Sequence, residues 1–493
     1  MRRPIASAAR LSLGLAIAAG LLTFGRAAAA QPAPEKPETI GVGDWQLAPL
    51  FEVRTRGELR HDAPDQGGTD GFGRGGPRVR DAWSVHERAR LGLGVERGAV
   101  RGQITLQDTR IWGGPDAATT FGAQGTGAYE AYLEAHTSSA RPSWVRVGRQ
   151  AVSWGEGRLL GAADWSPTGR SLDALRARLS IGPLGVEGLG AILASPTPYG
   201  MPYGDAFGTP HTGTELFGGL VDGTVDPLLK IEVYFLGRVA RGTGGTPDGS
   251  RLGAARALGD LYTGALRVSG EGKGFRYGVE GAYQLGTATA LAPGGADVSA
   301  FAVYGHVGRR FDELLLTPTL EIGGVYASGD DRGSVYKQFD PILPDPFTYG
   351  AFDVFGLSNH MGGNARLTVV PWTDATIGVD YRYARLARGE GEWIGGYVNG
   401  IGAPEGPSGL VLAPTPPTVP SVSQELGHEI DAHVSYRPWA PLELQGGWAG
   451  VIYGDGAKSI MSAYRRGYDP GDGTIKAPSF GQFGYVSAKL RLP

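Results

Sequence analysis

The amino-acid sequence predicts an all-β fold, a transmembrane antiparallel β-barrel with long extracellular loops. Three observations support this prediction: an N-terminal export signal, polar–apolar alternation with a period of two residues, and the lack of any later apolar run long enough for a membrane helix. A chain in a bilayer must satisfy its own backbone polar groups. A spanning chain that has no apolar helix does so by closing a sheet into a barrel.

The N-terminus has the three-part layout of a secretory signal peptide. Arg2, Arg3 and Arg10 precede an apolar run from Leu11 to Phe24, and an A-x-A cleavage site ends at Ala30. The apolar run of about 14 residues is shorter than the roughly 20 that a spanning helix needs. We therefore expect residues 1–30 to be removed and residues 31–493 to form a single barrel in the outer membrane of a Gram-negative cell.

Composition excludes several other classes of protein. Removal of residues 1–30 takes away four arginines and no acidic residue, which moves the formal net charge from -3 to -7. This acidic balance argues against general nucleic-acid binding. The chain has no cysteine, so disulfides and thiolate metal sites are excluded. Its glycine-rich stretches lack the dinucleotide and phosphate-loop patterns, and we expect no cofactor.

The strand signal is clearest in Phe51–Arg60. One face carries the apolar or small residues Phe51, Val53 and Leu59, and the other carries Glu52, Arg54, Arg56, Glu58 and Arg60. A face that is fully charged fits a water-filled lumen, with the apolar face toward lipid. Similar segments are Val85–Leu93, Val100–Gln107, Tyr129–His136, Ser143–Ala151, Leu172–Ile181, Val186–Leu193, Leu228–Leu236, Leu261–Val268, Phe275–Tyr283, Ala300–Val307, Leu316–Tyr326, Asn364–Val370, Ala375–Tyr383, Glu429–Arg437, Leu442–Gly450, Ile460–Tyr464 and Phe483–Leu492.

These segments predict about 18 strands, and a count of 16 also fits because bacterial barrels use even numbers. Short turns alternate with long irregular stretches, which predicts short periplasmic turns and long outer loops. Trp83, Trp144, Trp372 and Trp439 stand at predicted strand ends. We expect them to contribute to an aromatic girdle at the headgroups, although ordinary packing is the alternative for each.

The longest motif begins at Trp144 and reads WVRVGRQAVSWGEGRLLGAADWSPTGRSLDALRARL. Here the chain resembles the alginate-export family of outer-membrane barrels, as it also does in Val100–Gly113, Phe352–Trp372 and Leu426–Trp448. The resemblance implies a channel that exports an anionic polysaccharide, and partners among periplasmic polysaccharide-secretion proteins. The residues that match the family motif are Gly148, Arg149, Gln150, Gly155, Gly157, Arg158, Gly161, Asp164, Trp165, Arg170, Ser171 and Asp173.

An alginate-like polymer carries one carboxylate per sugar, so its conduit needs positive charge, and the arginine fork suits carboxylates. The candidate lumen cations are Arg54, Arg56, Arg88, Arg90, Arg101, Arg146, Arg176, Arg178, Arg276, Arg366 and Arg382. Acids expected on the same face are Glu130, Glu134, Glu280 and Asp380. For each arginine taken singly, a plain salt bridge is the favoured role, and the hypothesis rests on the whole set.

For Arg149, Arg158 and Arg170, we favour a structural role in which they tie an inward-folded turn to the barrel wall through Glu156, Asp164 and Asp173. The resulting hypothesis is a monomeric, non-catalytic barrel for passive polymer export, in contact with outer-membrane lipid. The main alternative is a general or small-anion porin, because a fold does not specify its cargo. A barrel enzyme acting on lipid or glycan is a remote alternative.

No metal site is expected. The histidines are scattered, and the acidic pairs Asp330–Asp331 and Asp469–Asp472 lack the spacing of a calcium loop. These pairs are interpreted as solvated turns.

Overall fold

The computed structural model describes residues 39–65, 78–113, 125–194, 213–241, 258–288, 296–331, 333–346, 348–391, 393–394, 411–412, 423–468 and 477–492. The expected signal peptide at residues 1–30 and the acidic pair Asp469–Asp472 lie outside these ranges. Within these ranges, no helix combines the length and the hydropathy that a membrane span requires.

Eighteen of the described strands form a closed antiparallel barrel in which each strand pairs with its neighbours along the chain and the last pairs with the first. The strands are β1 (Trp45–Asp65), β2 (Arg78–Arg97), β3 (Val100–Trp112), β4 (Gly125–His136), β5 (Trp144–Gln150), β6 (Leu172–Ile181), β7 (Leu184–Ala194), β8 (Gly213–Asp226), β9 (Leu229–Arg241), β10 (Leu258–Gly272), β11 (Phe275–Ala288), β12 (Ala296–Arg310), β13 (Thr319–Ala327), β14 (His360–Trp372), β15 (Ala375–Leu386), β16 (Glu425–Trp439), β17 (Leu442–Tyr453) and β18 (Phe480–Leu492).

Shorter elements accompany the barrel. Ile40–Val42 pairs with the start of β1, and Val335–Tyr336 pairs in parallel with β12. Trp393–Ile394 and Val411–Leu412 form a separate two-stranded sheet. One helix, α1 (Asp455–Tyr468), lies between β17 and β18.

The predicted barrel of 18 strands is confirmed, but the count was reached through two compensating errors. The strand expected near Ile460 is helix α1, where Ala457, Ile460 and Met461 are buried at the three- and four-residue spacing of a helix. Strand β8 was not predicted. Its inward face carries Leu216 and Leu220 before the single acid Asp222, so most of the strand lacks the apolar-out, polar-in pattern.

The polar side chains point into the lumen and the apolar side chains point outward, as the sequence predicts. In β1, the charged residues from Glu52 to Arg60 are buried in the lumen, whereas Phe51 and Leu59 are exposed on the outside. Trp83 and Trp439 are also exposed on the outer face, and Trp372 packs edge-on against Tyr436. Outward apolar side chains thus form the surface that meets lipid.

Trp144 does not belong to the aromatic girdle, so the prediction for this residue is wrong. It shares a face with Arg146, and the guanidinium carbons of Arg146 and Arg176 lie 5.0 and 5.1 Å from its ring. Since Val145 and Val147 of the same strand point outward, Trp144 points into the lumen.

A charge on the outer face is expected to destabilise the barrel. Leu91 of β2 is exposed on the lipid side, and Leu91→Arg should lower the free energy of unfolding by about 2–4 kcal/mol, the cost of arginine near the membrane midplane. Urea titration in lipid vesicles, followed by tryptophan fluorescence, measures this change. The matched control is Leu315→Arg in the turn before β13, which should alter stability by less than about 0.5 kcal/mol. Equal effects of the two substitutions would show that Leu91 does not face lipid.

The connections differ at the two ends of the barrel. Two residues join β2 to β3, β6 to β7, β8 to β9 and β10 to β11, whereas the connections at the other end are mostly long. By the usual arrangement, the short turns are periplasmic and the long loops extracellular.

Two of the long loops fold into the lumen. Loop A (residues 151–171) connects β5 to β6, and loop B (residues 328–359) connects β13 to β14. Their apolar residues form the centre of the hydrophobic core, together with inward-facing small and apolar wall residues such as Ala300 and Leu236. The main core of the molecule therefore lies inside the barrel.

Candidate functional site

Four arginines of β1 and β2 form a cation cluster on the lumen wall, which we call the arginine ladder: Arg54, Arg56, Arg88 and Arg90. In the strand register, Arg54 lies directly opposite Arg88 on one side and Lys489 on the other. Like charges placed directly opposite each other are destabilising. All four arginines are also buried, so the ladder needs acceptors close by.

Loop A supplies many of these acceptors. Arg54 donates to the carbonyl oxygens of Asp164 and Ser166 at 2.7 Å each. Arg56 donates to the Trp165 carbonyl at 2.6 Å, and Arg88 to that of Asp164 at 2.9 Å. Because Arg54 and Arg56 lie near the middle of β1, loop A descends to about mid-height in the lumen.

The Asp164 side chain adds a charged contact to the same ladder. Its carboxylate lies 2.9 Å from Arg90 and 3.1 Å from Arg88. Burial opposes ionisation of Asp164, but Arg88, Arg90 and Arg54 outweigh it and hold the pKa of this carboxyl well below its usual range. Asp164 is therefore a carboxylate bound to the arginines at neutral pH.

The first half of loop A contacts the opposite wall. Glu156 pairs with Arg158 of the loop at 2.7 Å and with Arg267 of β10 at 2.8 Å. Burial opposes its ionisation, but the two guanidiniums outweigh this and lower the pKa of Glu156. Arg158 also lies over the Tyr304 ring of β12, 3.4 Å from its centroid. Loop A is thus attached to the lumen wall on both sides.

Loops A and B are joined to each other by backbone hydrogen bonds. Gly161 N donates to the Leu343 carbonyl at 2.9 Å, and Leu343 N donates to the Leu159 carbonyl at 3.0 Å. Arg170 reinforces the junction, because its side chain donates to the carbonyls of Gly161 at 2.8 Å and Leu343 at 2.7 Å.

Asp345 of loop B lies so close to loop A that two positions of the family motif must be glycine. Its carboxylate accepts from Ala163 N at 2.6 Å and lies directly against the backbone of loop A. A Cβ atom at Gly157 or Gly161 would overlap this carboxylate, and Gly157 also has a positive φ of 72°. Burial raises the pKa of Asp345. The glycine spacing is thus a requirement for close contact between the loops.

Loop B is attached to other parts of the wall. Asp340 pairs with Arg238 of β9 at 2.9 Å. Phe352 N donates to Glu429 of β16 at 2.8 Å, and Arg60 of β1 donates to the Phe352 carbonyl at 3.2 Å. The two loops together form a constriction layer that is anchored around the lumen.

Below this layer, six cations line the periplasmic part of the lumen, which we call the vestibule: Arg101, Lys230, Arg276, Arg366, Arg437 and Lys489. Their side chains are 33–44% exposed. Each has an acidic partner that is only 3–14% exposed, drawn from Glu134, Glu232, Glu321, Asp380 and Glu443. In each pair with one of these buried acids, the cation is the member that faces the lumen. Arg101 also pairs with Glu96 at 2.5 Å, and there both side chains are partly exposed, 42% and 34%.

The remaining predicted lumen arginines are more buried and have close acidic partners. Arg146 pairs with Glu134, and Arg176 and Arg178 pair with Glu187. Arg382 lies 3.5 Å from Asp380 and 3.7 Å from Asp431. Of the two other predicted acids, Glu130 accepts from Ala151 N at 3.5 Å, and Glu280 accepts from the Tyr234 hydroxyl at 2.6 Å.

The residues of the family motif lie in several separate parts of the structure, the ends of strands β5 and β6 and loop A. Arg149 pairs with Asp173 at 2.7 Å at the outer ends of β5 and β6, and Gln150 donates to the Ala174 carbonyl. Arg158 pairs with Glu156, as the structural interpretation expects. The acid that this interpretation assigned to the motif arginines, Asp164, is instead bound by Arg88 and Arg90, while Arg170 binds loop B.

Some residues of the site were missing from the sequence prediction or were placed on the wrong face. Lys230, Arg437 and Lys489 alternate with outward residues on their strands, a signal that becomes clear once the strand bounds are known. Tyr129 alternates with Glu130, the acid expected in the lumen, and this alternation predicts an outward Tyr129. It is instead buried beneath Arg90, whose guanidinium carbon lies 3.6 Å from its ring. A register shift between Thr105 and Leu106 bulges β4 at this point and breaks the alternation.

No group of three or more potential metal ligands occurs among the residues that the structure describes. Asp331 forms an ion pair with Lys337 at 2.7 Å.

The closed barrel with its inward-folded loops has the architecture of outer-membrane porins. It is similar in fold to Pseudomonas aeruginosa OccK2 (OpdF), with a TM-score of 0.52 and 10% identity over 90% of this chain and 97% of that one. For P. aeruginosa OprD, the TM-score is 0.52 and the identity 11% over 92% of this chain and 95% of that one. OccK2 in complex with glucuronate matches with a TM-score of 0.51 and 10% identity over 91% and 97% of the two chains. These likenesses define the class of fold, a closed β-barrel like those of outer-membrane porins.

The family is narrower than this class. The model of the alginate export family matches residues 51–437, so the chain belongs to that family, and the resemblance found from the motif is confirmed. No curated protein matches the chain in sequence. The family and the structural neighbours are of the channel and porin type.

Proposed function

We propose that this barrel exports an anionic, alginate-like exopolysaccharide by passive diffusion across the outer membrane. The observation that carries the proposal is the vestibule, where six exposed cations each pair with a buried acid that lies behind them in the wall. A polymer with one carboxylate per sugar meets a positive surface there, although the protein as a whole is acidic.

The vestibule contacts suit movement better than tight binding. Ion pairs with an exposed partner are worth about 0–1 kcal/mol each, so a carboxylate can replace one and leave again at little cost. Six such cations around the wall provide repeated weak sites, and conduction requires sites that release as readily as they bind. The polymer gradient, which synthesis inside the cell maintains, then sets the direction of transport.

The arginine ladder has a different role in this proposal. Its arginines are engaged by loop A, so a polymer reaches them only where loop A moves aside. Asp164 and the loop carbonyls occupy the positions that polymer carboxylates would take. The ladder and the constriction layer thus limit passage, while the vestibule collects the polymer.

Two further parts of the proposal concern partners. In this proposal, periplasmic polysaccharide-secretion proteins deliver the polymer to the vestibule. The barrel acts as a monomer.

A porin for small uronates is the second candidate. It is favoured by one observation: the structurally similar OccK2 has been solved in complex with glucuronate. The same vestibule would attract a monomeric uronate. The two candidates differ in the length of the anion that the lumen accepts.

Single-channel conductance of the refolded protein in a planar bilayer tests the proposal. We expect an anion-selective current that polyuronate blocks in discrete events and that a neutral glucan of the same length leaves unchanged. Block by glucuronate monomer alone would favour the small-anion porin. A current that neither polymer affects would refute polymer export and leave a general porin as the function.

A further inference from the structure

Two aromatic side chains lie on the lumen face near the periplasmic ends of β4 and β5. Trp144 is the first residue of β5, and Tyr132 lies on β4 in the same face as Glu134. The guanidinium carbon of Arg146 lies 5.0 Å from the Trp144 ring and 4.2 Å from the Tyr132 ring. Both aromatics are partly exposed. A tryptophan in a charged lumen has no role in meeting lipid.

Charged residues form a row between these rings. Arg101, Glu134, Arg146 and Arg176 lie opposite one another in successive strand pairs from β3 to β6. Glu134 binds Arg146 at 2.5 Å and lies 3.7 Å from Arg101. Arg101 is the most exposed arginine of this row and belongs to the vestibule.

We propose a binding subsite for one uronate unit at the periplasmic mouth, a role that rests on the proposed function. It is formed by Trp144, Tyr132, Arg146 and Arg101. A pyranose ring has an apolar C–H face that packs on an aromatic ring, and its carboxylate suits a guanidinium. The row places both kinds of group together. Trp144 lies closest to the periplasm, so it contacts the incoming polymer before the constriction layer does.

The subsite predicts a selective effect of removing the ring. Trp144→Ala should raise the concentration of an oligomannuronate that half-blocks the current by about tenfold when the polymer is added on the periplasmic side. Trp144→Phe keeps an aromatic face and should stay within about threefold of the wild type. The matched control is Trp439→Ala, a tryptophan on the outer face at the same end of the barrel, which should leave the block unchanged.

The outcomes separate this inference from the proposed function. If oligomannuronate blocks the wild type and Trp144→Ala is indistinguishable from Trp439→Ala, the subsite is refuted while polymer export stands. If Trp144→Phe loses as much block as Trp144→Ala, stacking is refuted as the interaction. If the wild type is not blocked by any oligomannuronate, both proposals fall together.

Discussion

Replacing Gly161 with alanine is expected to separate loop A from loop B and to raise the single-channel conductance. A Cβ at this position would overlap the Asp345 carboxylate, which lies against the loop backbone. Overpacking of this kind costs about 1–3 kcal/mol. A cost of that size shifts an equilibrium between joined and separated loops about 5- to 150-fold. Larger and more variable current levels in a planar bilayer would reveal the separated state.

The control for Gly161→Ala is Gly264→Ala in β10, where a Cβ would meet no atom within 4 Å. This control should conduct like the wild type. A second substitution, Asp345→Ala, removes the carboxylate and should restore part of the wild-type conductance to the Gly161→Ala variant. If Gly161→Ala conducts like Gly264→Ala, loop contact does not limit the lumen.

Neutralising three vestibule arginines is expected to have the second large effect. Arg101→Gln, Arg276→Gln and Arg366→Gln together remove three of the six exposed cations, while the acids Glu134, Glu321 and Asp380 stay in the wall. Glu134 keeps Arg146 and Asp380 keeps Arg382 as partners. With up to about 1 kcal/mol per exposed pair, the concentration of polyuronate that half-blocks the channel should rise about 10- to 100-fold. Anion selectivity, measured as the reversal potential in a salt gradient, should fall as well.

A matched triple variant controls for the loss of net charge. Arg97 and Arg309 point outward near the periplasmic end, and Arg141 lies in a periplasmic turn. Changing all three to glutamine removes the same charge outside the lumen and should leave block and selectivity near wild-type values. Equal losses in the two triple variants would mean that net charge, and not the vestibule, attracts the polymer.

The strands were predictable because strand pleating is a local property. In β1 the alternation from Phe51 to Arg60 identifies both faces without reference to any other strand. The prediction failed where loop packing changed the chemistry of the inner wall. The lumen face of β8 is apolar from Leu216 to Leu220 because it adjoins the core of loop A, where Gly218 lies close to Trp154.

The candidate site was predictable only in part. The sequence indicated that Arg54, Arg88, Arg101 and Arg276 share the polar face, since each alternates with outward residues. It could not distinguish the buried ladder from the exposed vestibule. That difference depends on which wall loop A reaches, and Arg54 binds a carbonyl 110 residues away in the chain.

The sequence by itself determined the class of fold, the polar lumen and the family, because periodicity and contiguous motifs are encoded over short stretches of chain. Only the tertiary structure decided which arginines are bound by loop A. It also decided that Trp144 faces the lumen and that Gly161 contacts Asp345. Those properties depend on barrel closure and loop docking, which bring together residues that are far apart in the chain. Exposure of a cation is set by its neighbours in space, and these have no local signature in the sequence.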